Sequence, residues 1–158
     1  MPHRYLVAAA LLLVPLLVWA HGESETATLE VGVGAITVTY KPPQWGPTTF
    51  GMIQRGEGEY AGEFIKDFAA IELPAAYRLG GSELAAGKYQ LTFRSEAGKM
   101  SLRLRQEGQT RAEVPIALQA AQPEAALLTI ELKQASNRAV QLVLLYGPHR
   151  AEFTLERV

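Results

Sequence analysis

A chain of 158 residues, 48% hydrophobic and 20% charged, with 15 basic and 16 acidic side chains, has the composition of one ordinary folded domain. Its near-neutral balance offers no electrostatic footprint for nucleic acid or an anionic lipid surface. It has no cysteine, which excludes disulfide staples, thiolate metal sites and a cysteine nucleophile.

In chain order, the first pattern is a short start carrying Arg4, an apolar run from Tyr5 to Val18, and then Val18-Trp19-Ala20. Small residues before the cut and a single basic residue before the run are the signs of a secretion signal, residues 1–20, cleaved after Ala20. A membrane helix is the competing reading, but fourteen residues span only about 21 Å, against a hydrocarbon core of about 30 Å. The protein is therefore expected to be exported, periplasmic or extracellular, with no membrane insertion after cleavage. Removing residues 1–20 takes Arg4 and no acid, leaving 14 basic residues against 16 acidic.

Residues 21–27 read as a polar leader, and residues 28–158 as a single all-β domain. From Thr28 the apolar residues recur with a period of two, the pattern of strands with one face inward and one in water. Ile36, Val38 and Tyr40 alternate with Thr37, Thr39 and Lys41; Gly32-Val33-Gly34-Ala35 supplies a turn before them. Tyr89, Leu91 and Phe93 form one arm of a hairpin and Met100, Leu102 and Leu104 the other, with Ser95-Glu96-Ala97-Gly98 between. Pro115 marks an edge strand, because it has no N–H to give a central ladder. Leu128, Ile130 and Leu132 make another strand. Ala139 to Tyr146, apolar on both faces, fits a central one. A tight turn at Gly147-Pro148-His149 precedes a last strand, Ala151 to Val158. About eight strands separated by turns predict a single antiparallel β-sandwich.

The stretch from Pro42 to Phe68 breaks this rhythm and reads as a long loop with a helical turn near Glu63 to Phe68. Loops of that length in a compact domain are usually functional or mobile. The segments Val38-Thr39-Tyr40-Lys41-Pro42-Pro43, Phe50-Gly51, Leu84-Ala85-Ala86-Gly87-Lys88-Tyr89-Gln90-Leu91 and Leu144-Leu145-Tyr146-Gly147 together resemble the domain-of-unknown-function family 2911. Its members are exported bacterial β-domains with no settled activity. The resemblance implies a fold and no reaction. Members tend to carry a Trp-Arg-Thr-Gly-Ala-Asn segment after the Phe-Gly loop, where this chain has Tyr60-Ala61-Gly62-Glu63-Phe64.

Two constellations could carry chemistry. Cleavage after Ala20 makes His21 the first residue, whose α-amine and imidazole can chelate one metal ion. Adding His149 gives a three-nitrogen site suited to copper. Met52 and Met100 are soft side chains that could sit axially, although Met100 alternates with Leu102 as a core residue does. The second constellation is the loop aromatics Trp45, Phe50 and Tyr60, with Glu63 among nearby acids, a platform for a small-molecule, glycan or protein ligand. The competing reading has Trp45 and Phe50 plug one end of the sandwich. No serine lies in a G-x-S-x-G elbow and no glycine-rich phosphate loop follows a strand. The expected function is an exported, non-catalytic binding or accessory domain, with a copper protein as the alternative and a hydrolase as a third class.

Overall fold

The computed structural model describes residues 23–158, and for residues 62–68 the backbone alone. The expected signal segment and His21 lie outside the described residues. The described chain is an antiparallel β-sandwich of ten strands. A six-stranded sheet runs in the order β1 (Glu25–Glu30), β2 (Ala35–Tyr40), β3 (Gly62–Leu73), β6 (Gly87–Glu96), β7 (Lys99–Gln106) and β8 (Gln109–Pro115). Facing it are β5 (Ser82–Leu84), β4 (Tyr77–Leu79), β10 (Ala139–Arg157) and β9 (Gln119–Gln134), in that order. At the sides β1 approaches β9 and β8 approaches β5, so each sheet shields an edge of the other.

The period-two residues meet between the sheets. Ile36, Val38, Ile71, Leu91, Leu102 and Leu104 come from one, and Tyr77, Ile130, Leu142, Phe153 and Leu155 from the other, in one continuous buried core. The predicted hairpin at residues 88–105 is β6–β7. Its two-residue turn, Ala97-Gly98, has positive φ at both positions (51° and 76°), the mirror-image turn that matches the twist of paired strands. Pro115 ends β8, the outermost strand of its sheet, where a missing N–H leaves no ladder bond unmade.

Three expectations differ from the structure. The first strand begins at Glu25, ahead of the expected Thr28, because pairing with β2 runs through Glu25↔Tyr40. The stretch 42–68 is mostly not loop. It holds a helix, α1 (Pro47–Arg55), a 3-10 turn at Gly58–Tyr60, and the first half of β3. The backbone of residues 62–64, expected near a helical turn, is instead extended against β6 through Glu63↔Arg94 and Phe64↔Phe93, since that stretch of β6 needs a ladder partner. Finally, Gly147-Pro148-His149 is no turn between two strands. β10 runs unbroken through it, and the extra residues sit in β9, whose register slips twice opposite Gly147 to His149.

Candidate functional site

Leaving β2, the chain runs through Pro42 and Pro43 and touches the edge of β9. Leu128 N–H donates to the Pro43 carbonyl (3.0 Å) and Trp45 N–H to that of Ala126 (2.8 Å). This pins Trp45 at one end of the sandwich and delivers the chain into α1. Pro47 opens that helix with a pre-set φ, and Gly56, left-handed at φ 64°, closes it. There the Gly56 and Glu57 N–H groups bond back to the Ile53 and Met52 carbonyls. On the inner side of α1, Phe50 is buried.

Four rings interlock beneath the helix. Trp45 lies 5.1 Å from Phe50 and meets Tyr146 and His149 edge-on at 5.0 and 5.6 Å, while the His149 ring stacks on Phe50 at 4.7 Å. The floor of this cluster is Gly147. A Cβ there would fall 2.2 Å from Trp45 Cδ2, so only a residue without a side chain lets the indole lie on the β10 backbone. Tyr146 donates its hydroxyl to the Gln44 carbonyl (2.8 Å), tying β10 to the incoming segment. Burial, and then the neighbouring Tyr60, push its phenol above the ordinary value, so it stays a donor.

Between this cap and the two sheets lies a cleft of about 400 Å³. Its walls are Phe50 and Ile53 of α1, Phe93 and Met100 of β6–β7, Ile116, and Leu144 of β10, with Tyr60, Leu118 and Leu128 also lining it. Lys41, Gln44, Thr49, His149 and Arg150 contribute its polar groups. Arg150 is held by Glu152, its Nε 2.6 Å from the carboxylate. A broader hollow of about 660 Å³ lies elsewhere, bordered mostly by polar residues of the six-stranded sheet such as Thr39, Lys88, Gln90 and Arg105. It lacks the closed apolar wall of the cleft.

Of the residues singled out from sequence, Phe50, Tyr60 and His149 all line the cleft, and Trp45 packs behind it. Phe50 is buried and walls the cleft, while Trp45 is half-buried and packs on Phe50 from outside the lining. Glu63 stands in β3 opposite Arg94, and its side chain is outside the described set. Met100 lines the cleft, whereas Met52 packs near Gly58. Among the described residues, no three histidine, aspartate or glutamate side chains converge as a metal site, and no helix is long and apolar enough to cross a membrane.

Sequence reasoning missed Tyr146, Phe93, Ile116, Lys41 and Gln44. The helix did leave a trace, Pro47 followed by Gly56 at the spacing of a short helix with Phe50 and Ile53 on one side. Comparison with protein-family models, with curated proteins and with solved structures finds no match.

Proposed function

We propose that this chain is an exported, non-catalytic binding domain that takes a small, largely apolar ligand in the cleft between the sheets and α1. The observation that carries this reading is the cleft's make-up: about 400 Å³ walled by Phe50, Phe93, Met100, Ile116 and Leu144, with a few polar groups. Volume and lining both match small-molecule sites, which are concave, apolar and provided with few orienting groups. Export rests on the segment Met1 to Ala20. Membership of the domain-of-unknown-function family 2911 remains part of the proposal, carried by the strand-end motifs, and that family suggests no ligand.

A neutral fluorophore that brightens in apolar surroundings, N-phenyl-1-naphthylamine, tests the reading. The chain should bind it at one saturable site, and Met100→Trp, which places an indole in the cleft, should abolish that site. Both proteins share the apolar run Tyr5 to Val18, so its contribution cancels. Equal, saturable brightening by a folded Met100→Trp variant overturns the proposal.

A further inference from the structure

We propose that the ligand of this cleft is an amphipathic monoanion, a carboxylic acid whose carboxylate meets Lys41 and His149 while its chain lies among Phe93, Met100, Ile116 and Leu144. The inference rests on the cleft being a binding site and adds the chemical class of what enters it.

Charge comes first. Among the described residues lining the cleft there is no aspartate or glutamate, yet Arg150 is there, with Lys41 at the boundary between the cleft and the broader polar hollow. Arg150 is largely neutralised by Glu152, but Lys41 has no hydrogen-bond or ion-pair partner among the described residues. A cation with no acid among the described lining residues favours an anionic group and repels a cationic one.

The donors come next. His149 makes no hydrogen bond through its imidazole nitrogens among the described residues, and its ring is held between Phe50 and Trp45. Two nearby polar groups are occupied, Tyr146 on the Gln44 carbonyl and Arg150 on Glu152. An imidazole carries at least one ring N–H in either protonation state, so His149 can donate to a carboxylate without first taking up a proton. A ring already fixed by stacking loses little freedom on doing so.

Size limits the rest. At about 30 Å³ per water-sized unit, the cleft volume of about 400 Å³ encloses roughly a dozen heavy atoms, and a somewhat larger molecule extends through its open mouth. Octanoate falls within that limit, and a long-chain lipid does not.

The test is calorimetric titration of the full chain with three probes sharing one alkyl chain: octanoate, octanol and octylammonium. Octanoate should bind roughly tenfold to a hundredfold tighter than octanol, as expected for charge-assisted hydrogen bonds, and octylammonium should bind weakest. Combining Lys41→Gln with His149→Phe, which keeps an aromatic ring on Phe50, should lower octanoate to the level of octanol and leave octanol unchanged. Should the double variant not fold, Lys41→Gln alone, at an exposed position, should still narrow the gap between the two probes. Equal affinity for octanoate and octanol overturns the carboxylate inference while the cleft stands. Octanoate binding that ignores both substitutions overturns it too, placing the anion elsewhere. Failure of all three probes removes the cleft reading together with this one.

Discussion

Replacing Gly147 by alanine should cost far more than a methyl group on a strand usually does, because two separate penalties meet there. The residue has φ 57°, a conformation that a Cβ disfavours by about 1–2 kcal/mol. The new carbon would also sit 2.2, 2.4 and 2.6 Å from three atoms of the Trp45 indole, well inside contact distance. The ring packs on Phe50, Tyr146 and His149 with centroids 5.1, 5.0 and 5.6 Å away, so moving off Gly147 disturbs all three. The displacement forfeits aromatic contacts each worth about 0.5–1.5 kcal/mol. Together these give a loss of roughly 3–5 kcal/mol, a large share of the stability of a small domain. Urea unfolding followed by circular dichroism and by tryptophan emission measures it, in a Trp19→Phe background where Trp45 is the one remaining tryptophan. The decisive comparison is a double-mutant cycle with Trp45→Ala. Once the indole is gone, Gly147→Ala should cost only the backbone penalty of about 1–2 kcal/mol. An equal cost in both backgrounds would refute the reasoning, since the steric contact would then contribute nothing.

Ala97, at φ 51° in the β6–β7 turn, is a side chain where asparagine is far better tolerated, so Ala97→Asn should raise stability by about 0.5–1 kcal/mol, read as a higher urea midpoint. An unchanged or lower midpoint would count against the turn assignment. The Ser101 hydroxyl (2.6 Å), and then the Arg103 guanidinium, hold the Glu113 carboxyl below the usual carboxylate range. A carboxyl depressed in the folded state stabilises fully above its unfolded value, about 4.3, and loses that contribution as pH falls through the lower folded value. Glu113→Gln should therefore lower stability at neutral pH and flatten the acid limb of the stability curve, while a mutant curve parallel to the parent's would show that the carboxyl is not coupled to folding.

The sandwich was legible because a strand with one wet face must alternate. Ile36-Val38-Tyr40, Tyr89-Leu91-Phe93 and Leu128-Ile130-Leu132 could bury one face in no other way, and Ala97-Gly98 and Pro115 punctuated the strands through local backbone chemistry alone. The strand character of residues 62–64 was hidden, because it comes from pairing with Arg94 and Phe93, about thirty residues away in the chain, which no local pattern reports. α1 was hidden for a different reason. Nine residues containing Gly51 and two threonines have weak helical propensity, and what stabilises the helix is Phe50 and Ile53 settling onto the rings and sheets below. The same holds for the site. Trp45, Phe50, Tyr60 and His149 stood out as residue types, but their meeting depends on β10 running straight through Gly147, where a turn would have carried His149 elsewhere. Composition and periodicity determined that the chain folds as a β-sandwich without covalent staples, since burial and pairing are properties of residue type and spacing. Which faces stay apart to leave a cleft, and which polar groups open into it, only the tertiary structure decided, because a cavity is set by the packing of segments distant in sequence.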